Sequence, residues 1–300
     1  MAVGQTVFEQ VANATKCGTA AAAAGSGDAV DCLVALPATN LSHAMGIIPA
    51  GMCCGGHQGK IWITWAPTID GVELKAHPYE TIQKAKLTLS VPIMHGTNAD
   101  EGAPFVGVSK YLLHPALMAD WKKWYTPVMG AGAAERLDKL FYDTNTTYPP
   151  AGVRTRAWWA ADRAMTDQVC SCGARMSSRA LSSSLQPIFQ YEFAPSSWGV
   201  VPHGAEIGYL FQAEWLKGED LTLAAQMLGM WTHFAASRRP TADADAWPTY
   251  NAKGSADGPY LRLDVASTGG SAPAYGFHAK SCEGFFDEFT ARSLKRETFD

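Results

Sequence analysis

The sequence predicts an α/β fold, a portion of an open and mostly parallel sheet with helices flanking it. Three features point there. The run LTLSVPIMHG (87–96) is apolar on both faces, as expected of a strand buried within a parallel sheet. SLQPIFQYEFAP (184–195) reads as a second strand of the same kind, and the roughly 90 residues between them are mostly of helical pattern. The further alternation of strands and helices that would complete such a sheet is not visible, so the pattern is that of half a fold.

Taken in order, residues 5–45 read as helical, interrupted by an alanine-rich loop. GIIPAGMCCGGHQGK (46–60) is glycine-rich loop, and IWITWAPTIDG (61–71) is an aromatic, β-branched strand ending in an Asp-Gly turn. From 108 to 182 apolar residues recur at three- and four-residue spacing, broken by Pro149 and Pro150. EIGYLFQAEW (206–215) and LTLAAQMLGMWTHFAASRRP (221–240) are amphipathic helices. GPYLRLDV (258–265) is a short strand, and the tail from Cys282 to Asp300 is a last amphipathic helix. No repeat and no shift in composition marks a linker, so residues 1–300 read as one partial domain.

Composition excludes several classes of function. The chain is 47% hydrophobic and 17% charged, enough to bury a core. A net charge of −4 without basic runs gives no reason to expect nucleic acid or an anionic membrane as partner. No apolar run is long enough to span a membrane. MAVGQTVFEQ has neither a basic region nor an apolar core, so no signal peptide is visible. Three N-glycosylation sequons nevertheless occur, at Asn13, Asn40 and Asn145.

Seven cysteines stand at 17, 32, 53, 54, 170, 172 and 282. Cys17 and Cys32 bracket the alanine-rich loop, and a disulfide there would close about 15 residues, worth about 3 kcal/mol in the chain-entropy model. Disulfides imply an oxidising compartment, which conflicts with the missing leader and suggests that the front of the protein is absent. Cys53, Cys54 and His57 lack a fourth ligand at a recognisable spacing, so no metal site is expected of them.

Several blocks then appear in a fixed order: WAPTIDG (65–71), VPIMHGTNADEGAPF (91–105), QYEFA (190–194), WGVVPHGAEIGYLF (198–211), WTHFAASRRP (231–240), WPTY (247–250), and Cys282 followed by FFD. In order and spacing they resemble the type-B carboxylesterase/lipase family, which includes the cholinesterases, from about residue 5 to about residue 290. The resemblance implies the C-terminal portion of an α/β-hydrolase fold. It also implies a serine carboxylic-ester hydrolase that needs no cofactor and no metal. Glu101 falls on the family's triad acid and His203 on its base, in the chain order serine, acid, histidine. The nucleophile motif G-x-S-x-G occurs nowhere in the 300 residues, so the expectation is a chain lacking the nucleophile-bearing N-terminal half.

Glu206 either supports His203 through a hydrogen bond or only places an acid in the first turn of a helix. The small cysteine loop fits the family, whose pattern also pairs Cys172 with Cys282. One residue is inserted there before Phe285-Phe286-Asp287. The resemblance implies a small ester as substrate once the missing half is present, a secretory location, and dimerisation through the 221–237 and C-terminal helices, which core packing explains equally well. Trp62, Trp65, Trp121, Trp124, Trp158 and Trp159 read as packing rather than as the lining of a gorge. The alternative function is that of a non-catalytic, cholinesterase-like adhesion or partner-binding protein.

Overall fold

The computed structural model describes residues 2–18, 29–47, 69–84, 91–106, 131–142, 155–182, 187–195, 199–251, 257–288 and 291. They fall into two compact units, residues 1–76 and 77–300. The first unit contains the helices Ala2–Ala14, Ala29–Val34 and Ala38–Ile47. Cys17 and Cys32 are joined as a disulfide with their Cα atoms 5.5 Å apart, and Cys17 is buried with Val11, Ala12 and Ala44. Asn13 and Asn40 lie exposed on helices, while Asn145 is outside the described residues. So are residues 61–68 of the expected early strand. Its last residues form the turn, where Asp70 Oδ1 accepts the N–H groups of Val72, Glu73 and Leu74 at 2.9–3.0 Å.

The second unit is built on a four-stranded sheet in sequential order: β1 (Ile93–Asn98), β2 (Ile188–Phe193), β3 (Tyr260–Leu263) and β4 (Ala272–Ala274). The first three run parallel and β4 antiparallel. β2 is central, and five of its six residues are buried, as the two-faced apolar run requires. Its register pairs Ile93 with Ile188 and Asn98 with Phe193.

Residues 87–90 of the expected first strand lie outside the described residues. β1 starts after Pro92 and continues past the apolar run through the polar residues Thr97 and Asn98. Their backbones complete the ladder with β2. Their buried side chains find partners, Thr97 Oγ1 with Ser171 Oγ at 3.2 Å and Asn98 with Glu206 at 2.5 Å. β4 had no legible signal, because a three-residue antiparallel edge strand is too short to show a period.

The helix Glu219–Ser237 supplies Leu223, Ala224 and Met227 to a core shared with Phe189, Phe193 and Trp247. The expected helix at 206–215 spans only Ala205–Leu210, and Gln212 turns the chain away with φ at 48°. The 108–182 helical stretch is seen as Ala131–Leu137, which runs on as a π-helical turn, Asp138–Tyr142, and as Arg156–Thr166 and Cys172–Ser182. A second π-helical turn, Asp167–Ser171, joins the last two. Thr155 caps this long segment by accepting the N–H of Trp158 at 3.1 Å. Trp158 and Trp159 are buried edge-to-face, as packing residues should be; Trp62, Trp65, Trp121 and Trp124 lie outside the described residues.

The expected amphipathic C-terminal helix is present over the residues described. A single turn, Ala279–Ser281, passes into a π-helical turn, Cys282–Phe286. Cys282, Phe285 and Phe286 are buried on one side of this turn, while Glu283 and Gly284 are exposed. Cys172 and Cys282 form a disulfide with a Cα separation of 5.4 Å. Beside it, the fully buried Arg175 binds Asp257 at 2.9 Å, Asp287 at 3.0 Å and Glu283. Among the described residues no helix is long and apolar enough to cross a membrane.

Candidate active site

The carboxyl end of a parallel strand is where an open α/β sheet presents its chemistry. β1 ends at Asn98, and the next residues, Ala99-Asp100-Glu101-Gly102, turn sharply into the Ala103–Val106 helix. The turn is held from three sides. Asp100 forms a parallel bridge with Pro202, its N–H reaching Val201 O at 3.0 Å while its Oδ2 accepts the Val201 N–H at 2.7 Å. Arg163 grips the same turn through Asp100 Oδ1 at 2.9 Å and the Ala99 carbonyl at 2.8 Å, its guanidinium lying over Trp159. The Gly102 N–H bonds Thr166 Oγ1 at 2.9 Å, and a Cβ on Gly102 would collide with the backbone of Asp162 and the side chain of Met165. Only glycine lets the turn sit this close to the Arg156–Thr166 helix.

These restraints bring together the two residues singled out in the sequence. Glu101 Oε2 and His203 Nδ1 are 2.5 Å apart, although the residues are 102 positions apart in the chain. Oε1 of the same carboxylate accepts the Asn98 N–H at 2.7 Å, so both oxygens are engaged. Glu101 is buried, whereas the His203 side chain is 58% exposed. Burial pushes the Glu101 carboxyl above its ordinary value, against the pull of the Asn98 N–H and of His203. Gly204 follows His203 with φ at +79°, a conformation that favours glycine, and starts the Ala205–Leu210 helix.

Glu206 occupies the first turn of that helix and also accepts a hydrogen bond from Asn98 Nδ2 at 2.5 Å. Asn98 Nδ2 reaches the Pro202 carbonyl as well, at 3.1 Å. Glu206 thus does not touch the imidazole through any of these bonds. Asn98 carries its influence to the loop that bears His203.

Sequence reading missed four contributors. Asn98 and Asp100 sit inside the N-A-D-E-G segment, so that motif was their signal. Arg163 and Cys170 had none, because they arrive from a helix more than sixty residues away. Cys170 belongs to the π-helical turn and takes no part in either disulfide. Its Sγ, a carboxylate oxygen of Glu101 and a ring nitrogen of His203 all lie within 4.8 Å of one another.

A second imidazole lies deeper. His278 is held between Asp167 and Glu192, the latter at 3.2 Å from Nε2. Burial opposes its charged form, but the two carboxylates override this and hold its pKa up at about 10. Glu192 also binds Arg262 at 3.0 Å. Apart from this, a cavity of about 440 Å³ opens beside Glu219, Met230, Leu261 and Ser271, and no member of the Glu101–His203 pair lines it.

A buried carboxylate on one nitrogen of a half-exposed imidazole is an arrangement that can orient the ring and steady its charged form. Cys53, Cys54 and His57 lie outside the described residues. The model of the carboxylesterase family matches residues 2–279, somewhat short of the tail that the sequence blocks reach. The sheet with its flanking helices is accordingly that of an α/β-hydrolase, and the chain belongs to the carboxylesterase family.

Proposed function

We propose that residues 1–300 are the C-terminal portion of a serine carboxylic-ester hydrolase, with Glu101 as triad acid, His203 as general base, and the nucleophilic serine outside these residues. The observation that carries this is the 2.5 Å contact between Glu101 and His203 at the end of β1, in a sequence without G-x-S-x-G. An ionised carboxylate only accepts, so the proton of a neutral imidazole sits on Nδ1, and Nε2 carries the lone pair that would take a proton. A serine hydroxyl presented to Nε2 would lose its proton as it attacks the ester carbonyl. The resulting imidazolium, stabilised by Glu101, returns that proton to the leaving alcohol. Water then repeats the cycle on the acyl-enzyme. Two disulfides and the family fit a protein of the secretory pathway, with Asn13 and Asn40 as glycosylation positions.

The test is hydrolysis of p-nitrophenyl esters by the purified 300-residue chain against its His203→Ala variant. The expected result is equal, background rates. A polypeptide that adds a G-x-S-x-G segment upstream should show His203-dependent turnover and label with an organophosphate. Turnover by the 300 residues alone that is lost in His203→Ala and titrated by an organophosphate would overturn the proposal.

A further inference from the structure

Cys170 is close to the Glu101–His203 pair yet has no place in the proton relay. A relay nucleophile stands on the imidazole's far nitrogen, and two hydrogen bonds of about 2.6–3.2 Å in line already exceed the 4.8 Å that separates the sulfur from the carboxylate at most. The thiol therefore lies beside the pair, not at its far end. Its position comes from the π-helical turn Asp167–Ser171, a winding that recurs at functional sites because it re-aims one side chain.

One sulfur, one imidazole nitrogen and one carboxylate oxygen converging at this distance form a mixed donor set. Zn²⁺ takes these ligands tetrahedrally, with about 2.3 Å to sulfur, about 2.0–2.1 Å to nitrogen and about 2.0–2.2 Å to oxygen. A thiolate in the set favours zinc over magnesium or calcium. A thiolate and a carboxylate together neutralise a divalent charge. Three protein ligands leave a fourth position for water, and the exposed side of His203 provides the way in.

We propose that Glu101, Cys170 and His203 form a binding site for one thiophilic divalent cation, Zn²⁺ foremost, and that its occupancy takes the imidazole out of proton transfer. The second half of this rests on the relay described above; the binding site does not. Binding releases the thiol proton to solvent. Coordination through Nδ1, the nitrogen on the Glu101 side, moves the ring proton to Nε2, so no lone pair is left to accept a proton from the nucleophile.

The experiment is a Co²⁺ titration of the 300-residue chain, because a cobalt–thiolate bond has its own charge-transfer absorption. The Cys53→Ala/Cys54→Ala variant serves as the background, which removes the other cysteines outside the disulfides. One equivalent of Co²⁺ should generate the band, and Zn²⁺ should bleach it. Cys170→Ser should abolish the band, and His203→Ala should weaken Co²⁺ binding at least tenfold. In parallel, Zn²⁺ should slow both alkylation of Cys170 by iodoacetamide and carbethoxylation of His203 at least tenfold, read by peptide mapping. A band that persists in Cys170→Ser, no band at all, or unchanged labelling of His203 in saturating Zn²⁺ would overturn the proposal. None of these readouts needs ester turnover, so failure of the hydrolase reading leaves them intact.

Discussion

His203 and His278 are both imidazoles bound to carboxylates, and they are built for opposite ends. His203 binds Glu101 through Nδ1, and 58% of its side chain faces solvent. His278 has a carboxylate on each nitrogen and is only 15% exposed. The first binds its carboxylate through Nδ1 on a side chain that water reaches. The second is locked as a cation, since losing its proton would leave Asp167 and Glu192 facing each other in a buried space. The pairing of histidine with acid does not itself make a proton relay. The access of water separates the two.

The comparison can be broken most sharply by removing each imidazole. In the enzyme completed by its serine, His203→Ala should lower kcat by about 10⁶-fold, the scale seen when a triad base is lost. Its melting temperature should stay close to that of the parent, because the side chain is half in water. Glu101→Gln keeps the shape but favours the wrong tautomer, and should cost about 10⁴-fold in kcat. Steady-state kinetics on a p-nitrophenyl ester checks both.

His278→Ala should do the reverse. Stability should fall by about 3 kcal/mol, since the change strips a buried ion cluster of its central cation. The pH dependence sharpens the contrast further. His278 has its pKa raised from 6.5 to about 10, so its contribution is whole below pH 6.5 and is lost as pH rises toward 10. Glu192 is lowered from 4.5, because His278, Arg262 and Arg163 outweigh its burial, so its contribution is present above pH 4.5 and lost as pH falls through its lowered value. Denaturant midpoints should therefore be highest between about pH 4.5 and 6.5. Above that they should decline by up to about 1.4 kcal/mol per pH unit, a slope that His278→Ala abolishes. The smallest effect belongs to Asn98→Ala. It frees Glu206 and the Pro202 carbonyl, and should cost about 1 kcal/mol in urea unfolding while leaving His278 untouched.

Much of the first site was legible in the sequence. Glu101 stands in N-A-D-E-G and His203 in H-G-A-E, and each motif carries its own local geometry: a glycine where the backbone must approach a helix, and another where φ is positive. Little of the second site was legible. Asp167, Glu192, Arg262 and His278 lie on four separate elements, and none is part of a spaced pattern. The same holds for Arg175, whose three acidic partners come from residues 257–287. The two disulfides were readable for different reasons, Cys17–Cys32 from its short loop and Cys172–Cys282 through the family pattern.

By itself the sequence determined the α/β class and the two buried parallel strands, because apolar periodicity acts over a few residues; Glu101 and His203 were singled out through the family resemblance. Only the tertiary structure decided that Thr97 and Asn98 extend β1, that the tail winds as a π-helical turn, and that Cys170 meets Glu101 and His203. Those outcomes depend on which buried polar groups and aromatic rings find partners across the core, and that is set by packing between segments a hundred residues apart.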